Sequence, residues 1–469
     1  MPRKRKLAKA CLTPDSKKNC LFDISKTADI QKSVKWNGYR ESISTTALPK
    51  YCKEAIEFHF HPTPNALSFS EAWLVLRCRI VKWQDEKPVA CNDESDVTPC
   101  SLFPILLFSH VKVSISNQSI SSFEETYHWE SFIHCMAQLT RTEQENLLAA
   151  SMFMPTKAGL QKVSSGKGDL SPIMHERFIL SRSSADMNFI TKIFHEFFKC
   201  KRLTPPGTDV KITLQINRPG LILTSPETNP SYTVQITEAK MLVKEYGASE
   251  NTLGNIERAL SSPGGYLFPL KKMQTFQFSI QPGTTSVARI IPQPSAGSAV
   301  TRLYVFLLSR AAAEGDFSQD SFFTHNYGVS ALSFQKGDRI FPNNSIYQPS
   351  FEEKSPETGL VTRKANYMLD FIVNKENHGM ENEKWFLNET NFPFYTIWAF
   401  DLTKEGQSRN QGYVSTSEEH PVEESHGTLF ISFASETTIP LTVTVCQEQY
   451  IHLLLNKFRE PRYEKPKLA

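Results

Sequence analysis

No apolar run in the 469-residue sequence approaches the ~20 residues that cross a bilayer as a helix, so no membrane span is expected. Charge of one sign is also scarce. With 52 Lys and Arg against 49 Asp and Glu, the formal net charge is only +3, and no global field draws the chain to nucleic acid. The nine cysteines (Cys11, Cys20, Cys52, Cys78, Cys91, Cys100, Cys135, Cys200 and Cys446) form no Cys-x-x-Cys pair. An odd count without a signal peptide points to reduced thiols inside a cell. The sequons at Asn117, Asn343 and Asn388 are then chance matches. Catalytic signatures are missing as well. There is no Gly-x-Ser-x-Gly elbow, and no cysteine stands in a protease context. Gly166-Lys167-Gly168 lacks the preceding Gly and the following Ser or Thr of a phosphate loop, and reads as a mobile loop. Neither an enzyme nor a cofactor is expected.

What is abundant is Phe, at 32 residues, and Pro, at 28. Aromatic and β-branched residues punctuated by Pro and Gly favour strands. The stretch from Leu102 to Met136 organises the rest. After an apolar opening (Phe103, Ile105, Leu106, Leu107, Phe108), Val111, Val113 and Ile115 alternate with Lys112, Ser114 and Ser116. Period two marks a half-buried strand. Asn117-Gln118-Ser119 predicts a turn. From Phe123 the period lengthens through Tyr127, Phe132 and Met136, which predicts a helix capped by Ser122 with Glu125 as the reciprocal capping-box member.

Along the chain, residues 1–50 lack periodicity and predict a basic, disordered N-terminal arm. Arg3, Lys4, Arg5, Lys6 and Lys9 crowd its start. Such a block suits a nuclear import signal or a DNA-contacting arm, and otherwise a solvated tail. Strand patterns follow at Ala55–His61, Ala72–Trp83, Glu176–Ser181, Val210–Ile216 and Tyr232–Tyr246. Helical patterns are read at Glu143–Met152 and at Met187–Phe198, the latter with Asp186 as N-cap. The polar stretch Gly247–Gly265 is the best domain boundary. Beyond it the β texture repeats, with a short helix read at Tyr367–Val373. The expected fold class is mainly β: two consecutive jelly-roll β-sandwich domains with short inserted helices and long loops. The expected layout is a first jelly roll at 51–250, a linker at 251–265, a second jelly roll at 266–455 and a C-terminal tail at 456–469.

The run LFSHVKVSISNQSISS, followed by the helix carrying Tyr127, Trp129 and Glu130, resembles the double jelly-roll major capsid proteins of Polinton (Maverick) elements and adintoviruses, of the adenovirus hexon lineage. Gln118-Ser119 stands where that family has the Gly of the turn, and Trp129 where it has Arg. The segments Leu203–Gly207, Val210–Asn217, Gly337–Pro342, Phe400–Thr403 and Gly427–Phe433 follow in matching order across residues 50–460. The resemblance implies a hexon-like structural protein of the virion. It would trimerise into pseudo-hexagonal capsomers and build an icosahedral shell beside a penton-type minor capsid protein. The gene could then be an endogenous viral element. It further implies assembly in the host nucleus, with the arm importing the chain or contacting DNA. The other readings are a β-sandwich that binds carbohydrate or protein without assembling, and a cupin-like metal enzyme.

The metal reading starts from His59 and His61, two apart on a strand and so on one side. Cupins place a Glu within a few residues of such a pair and a third His later. Here the next acid is Glu71, and Pro62 and Pro64 break the strand. No metal is expected, since a site needs three or four converging ligands. His195, on an apolar face, reads as packed or hydrogen-bonded. Phe392, Phe394, Tyr395, Trp398 and Phe400 lack interleaved Lys or Arg, so they read as sandwich core rather than a base-stacking platform.

Overall fold

The computed structural model describes residues 34–48, 55–84, 87–92, 95–121, 125–139, 148–152, 172–227, 230–292, 299–341, 353–354, 361–362, 395–402 and 427–464. The chain is mainly β, as the alternating patterns predict. In the first half, one antiparallel sheet runs Val34–Ile43, Tyr232–Ala248, Ala66–Gln84, Lys87–Ala90, with Met187–Thr191 also paired to Ala66–Gln84. The facing sheet runs Ala55–Phe60, Val210–Ile216, Phe108–Ile115, Gln118–Ser119. In the second half, one sheet runs Tyr266–Ile280, Leu441–Leu455, Ala299–Ser309, Trp398–Asp401, with Pro461–Glu464 paired to Leu441–Leu455. Its partner runs Ser286–Ile291, Gly427–Phe433, Val329–Lys336, Arg339–Phe341.

Alternation settles which side chains go inward. In Phe108–Ile115, Val111, Val113 and Ile115 are buried while His110, Lys112 and Ser114 are partly exposed. The reversal that follows differs by one residue from the expected turn. Ser116 (φ 47) and Asn117 (φ 65) form its centre, and Gln118 and Ser119 already pair back to Ile115 and Ser114. Two central residues with positive φ match the right-handed twist of a two-residue hairpin, and Asn accepts that conformation readily.

Ala299–Ser309 and Leu441–Leu455 are buried on both faces. Leu303, Val305, Leu307, Val443 and Val445 fill the second sandwich. Tyr304, Phe306, Leu308 and Cys446 point the other way and join the core of the first half. Strands covered on both sides read as near-continuous apolar runs, as Leu303–Leu308 does, whereas Leu441–Leu455 also buries Thr442, Thr444, Gln447, Glu448 and Gln449. The bridge between the halves is the helix Tyr127–Ile133, every residue of which is buried. Trp129 lies 5.6 Å from Phe306 and 5.2 Å from Phe322 between ring centroids, and Phe132 lies 6.1 and 5.5 Å from the same two rings. Nearby, the halves meet at their backbones. A Cβ on Gly220 would stand 1.9 Å from the Gly315 carbonyl oxygen, so only glycine permits this approach.

Several local expectations are corrected. Met187–Phe198 is not one helix. Met187–Thr191 is a strand with alternating burial, and the helix is the short Glu196–Lys199. Its N-cap is His195, not Asp186. Glu176–Ser181 is the end of a helix, Pro172–Ser181, whose proline start suits a first helical turn. The stretch read as a linker holds the helix Glu250–Ser261, capped by Ser249 Oγ accepting from the Thr252 N–H. Leu253, Ile256 and Leu260 recur at helical spacing there, and Gly254 masks the pattern. The arm is shorter than expected, because Val34–Ile43 pairs along Tyr232–Ala248. The described part of the expected C-terminal tail, residues 456–464, is joined to the body. Ser116 Oγ donates to the Arg459 carbonyl at 3.0 Å, Arg459 Nη2 reaches Glu257 at 2.5 Å, and the Tyr463 hydroxyl donates to the Ile120 carbonyl. The helix expected from Phe123 starts later: it is Tyr127–Ile133 with Thr126, not Ser122, at its N-cap, and Glu125 precedes it. The expected helix at Tyr367–Val373 and most of the long loops lie outside the described residues. So does Glu143–Met152, except for a 3-10 turn at Ala149–Ser151.

Candidate functional site

Arg3, Lys4, Arg5, Lys6 and Lys9 all lie outside the described residues. Two other groups of polar side chains come together among the described residues.

The first lies in the seam between the halves. The helix Tyr127–Ile133 continues into a π-turn, His134–Gln138, which swings Gln138 toward the second half. Gln138 Nε2 donates to Tyr304 Oη at 3.1 Å and to Glu448 Oε2 at 2.8 Å, while its Oε1 lies 2.5 Å from His134 Nδ1. Glu448 Oε1 accepts from the Thr301 hydroxyl at 3.3 Å and lies 3.9 Å from Arg302 Nη1. Burial alone would raise the Glu448 pKa. Lys271, Arg302 and Lys199, with the Thr301 hydroxyl, outweigh it and hold the carboxyl at about 2. Glu130 is in the opposite state: burial, then the neighbouring Glu196, push it up to about 8. At neutral pH Glu448 is therefore ionised and Glu130 mostly protonated.

His195 is hydrogen-bonded, as expected. Its Nδ1 accepts the Phe197 N–H at 3.2 Å, which assigns the ring proton to Nε2, facing Ser121 Oγ at 2.9 Å and Glu196 Oε2 at 3.1 Å. Burial lowers its pKa to about 4, so the ring is neutral at pH 7. His195, Ser121 and Glu196 hold one another within the first half, while Gln138, reaching Tyr304 and Glu448, fastens the two halves. The six described cysteines (Cys78, Cys91, Cys100, Cys135, Cys200 and Cys446) are reduced thiols, and all are buried. Burial raises the pKa of each, which makes them inert as nucleophiles.

The second group is the His pair. His59 and His61 leave the end of Ala55–Phe60 on one side, with ring centroids 3.8 Å apart, while Phe58 and Phe60 point into the core. The structure adds Asp209, which precedes the neighbouring strand Val210–Ile216. Its Oδ1 stands 2.7 Å from His59 Nε2. Among the described residues, these three are the one set of His, Cys, Asp or Glu side chains close enough to share an ion. Sequence spacing missed Asp209 because 150 residues separate it from His59; only strand pairing joins them. The aromatic cluster behaves as expected where it is described. Tyr395, Trp398 and Phe400 are all buried.

No protein-family model matches the sequence, and no curated protein matches it. Solved structures do match, over nearly the whole length of both chains. The crystal structure of the mavirus major capsid protein superposes with a TM-score of 0.54 at 10% identity, covering 100% of this chain and 98% of that one. The Faustovirus major capsid protein gives 0.54 at 10% identity, over 94% of each chain. A chain of the Sputnik virophage structure gives 0.57 at 9% identity, over 95% and 91%. The fold is the double jelly roll of these viral capsid proteins. Identities this low carry the fold alone.

Proposed function

We propose that the chain is a hexon-like major capsid protein, of the Polinton and adintovirus type, that trimerises into pseudo-hexagonal capsomers and builds an icosahedral shell. The observation that carries the reading is the correspondence of both sandwiches and their connection, end to end, with major capsid proteins. The double-sided burial of the second-half sheet supports it, since it makes two sandwiches one rigid tile. Large apolar side chains on outer strands add support: Trp36 is 58% exposed, Ile43 64%, Ile190 51% and Ile290 69%. Neighbouring subunits, and a penton-type protein at the vertices, would cover such positions. Nothing in the seam or at the His pair forms a catalytic constellation, and the proposed role needs none.

Sedimentation equilibrium at micromolar concentration should give the mass of three chains, with an interface above ~2,000 Å² per trimer contact set. Electron microscopy should show trimers or shells. A stable monomer would favour a non-assembling binding module instead.

The domain layout belongs to the same reading, with a first jelly roll from Val34 to Ala248, a second from Tyr266 to Glu464, and the helix Glu250–Ser261 between them. So does the arm. Lys4→Ala with Arg5→Ala should abolish nuclear accumulation of a fused reporter, because import receptors read the compact basic run. A scrambled arm of equal charge should fail at import yet still bind DNA, with affinity falling steeply as salt rises. Deleting residues 1–20 should leave the trimer intact. Monomeric protein after that deletion would make the arm a strap between subunits.

A further inference from the structure

We infer that His59, His61 and Asp209 bind one divalent transition-metal ion of the zinc class at the rim of the first sandwich. Two imidazoles and a carboxylate are the nitrogen and oxygen donors that zinc takes in mixed sites. Their ligand atoms all lie within 4.8 Å of one another. Tetrahedral zinc with bonds of about 2.1 Å needs donors about 3.4 Å apart. His59 Nε2 and Asp209 Oδ1, at 2.7 Å, are already closer than that. The remaining gap closes by rotating His61, which is exposed and free to turn.

The backbone beneath the three side chains is tied from several directions. The His59 carbonyl accepts from Ser42 Oγ at 3.3 Å, and the His61 carbonyl accepts from Arg40 Nη1 at 3.0 Å. The Asp209 carbonyl accepts the Ser116 N–H at 3.0 Å, and the Gly207 N–H donates to the Thr63 carbonyl at 2.8 Å. On the far side of the strand, Phe58 and Phe60 are fully buried and hold it against the core. A site framed this way keeps its geometry before the ion arrives, which is what a metal site needs from its support.

Charge agrees. Lys211 is paired to His59 across the strands, but its ammonium lies 2.9 Å from Glu57 and is neutralised there. A cation would take the place of the hydrogen bond between His59 Nε2 and Asp209 Oδ1. Three protein ligands leave the fourth position to water, facing solvent beside His61. The ion would clamp the end of Ala55–Phe60 to the segment leading into Val210–Ile216, since its ligands come from both.

The test uses the full chain, stripped with chelator and dialysed against zinc chloride. Elemental analysis should find one zinc per chain, and zinc should raise the melting temperature by mass action. Cobalt in its place should show the visible absorption bands of a tetrahedral site. Asp209→Asn is nearly isosteric and His61→Ala changes an exposed side chain, so both should keep the native circular dichroism. Each should weaken zinc by more than the roughly 10–100-fold that follows loss of an outer-shell partner. Each should also abolish the thermal shift. Sub-stoichiometric zinc in the unaltered chain would overturn the inference and leave an ordinary His–Asp hydrogen bond. Full zinc content and an undiminished thermal shift in both variants would overturn it too, by placing the ion elsewhere.

Discussion

Trp129→Ala is expected to destabilise the whole chain by about 3–5 kcal/mol, the range for removing a buried tryptophan from a packed core. The indole is 2% exposed and faces Phe306 and Phe322 of the second half. Its loss leaves a void that neither sheet can close, because the backbones already touch at Gly220 and Gly315. The cost should fall on the coupling between the halves as well as on the first sandwich. A cycle with Phe306→Ala isolates that term. The two changes should be non-additive by about 0.5–3 kcal/mol, as for residues in contact. Ile290→Ala, at a position 69% exposed, serves as the control and should stay within about 0.5 kcal/mol. Urea unfolding of the five proteins (the unaltered chain, the two single variants, their double variant and Ile290→Ala) measures all of this. Strict additivity at Trp129 and Phe306 would mean that the helix stabilises its own sandwich without joining the other.

The mainly β fold was legible because half-buried strands announce themselves by period two. Val111, Val113 and Ile115 were assigned inward from the sequence, and so they are. Period failed where burial is two-sided or runs are short. Leu67, Ser68 and Phe69 are all buried, so the first part of Ala66–Gln84 shows no alternation, and the strand was read as starting at Ala72. Met187, Ile190, Phe194, Phe197 and Phe198 fall at helical spacing by coincidence. Ile190 is exposed in the strand, and the three Phe belong to the turn and short helix that follow. Contacts across the chain were harder still. The helix carrying Trp129 was recognised, but nothing in its sequence names Phe306 as its partner. The His pair likewise lacked its acid, because Asp209 arrives only when Ala55–Phe60 pairs with Val210–Ile216. Adjacency created by strand order has no signature in local spacing.

Glu448 carries the second large effect, and its size depends on pH. Glu448→Ala removes the acceptor of Gln138 and Thr301 and the counter-charge of Arg302, in a seam where the Glu448 and Arg302 side chains are 4% and 1% exposed. Breaking a buried ion pair from one side costs about 3–5 kcal/mol, mostly because the remaining charge is left desolvated. Glu448→Gln keeps the shape and loses the charge, so it separates packing from electrostatics. The folded carboxyl titrates near 2, below its ordinary value of 4.5. A depressed carboxylate contributes stability that is fully present above the unfolded value and lost as pH falls through the folded one. The difference between the unaltered chain and Glu448→Gln should therefore be constant above pH 5 and shrink steadily between pH 4.5 and 2. Glu130 runs the other way. Raised to about 8, it contributes most below pH 4.5 and progressively less as pH rises toward 8. Both proteins contain Glu130, so its contribution cancels in the comparison. Urea unfolding at pH 7, 4 and 3 reads the difference directly. If it stayed the same at pH 3 as at pH 7, the Glu448 carboxylate would not be the charge that holds Arg302 in the seam, and the halves would be joined there by apolar packing alone.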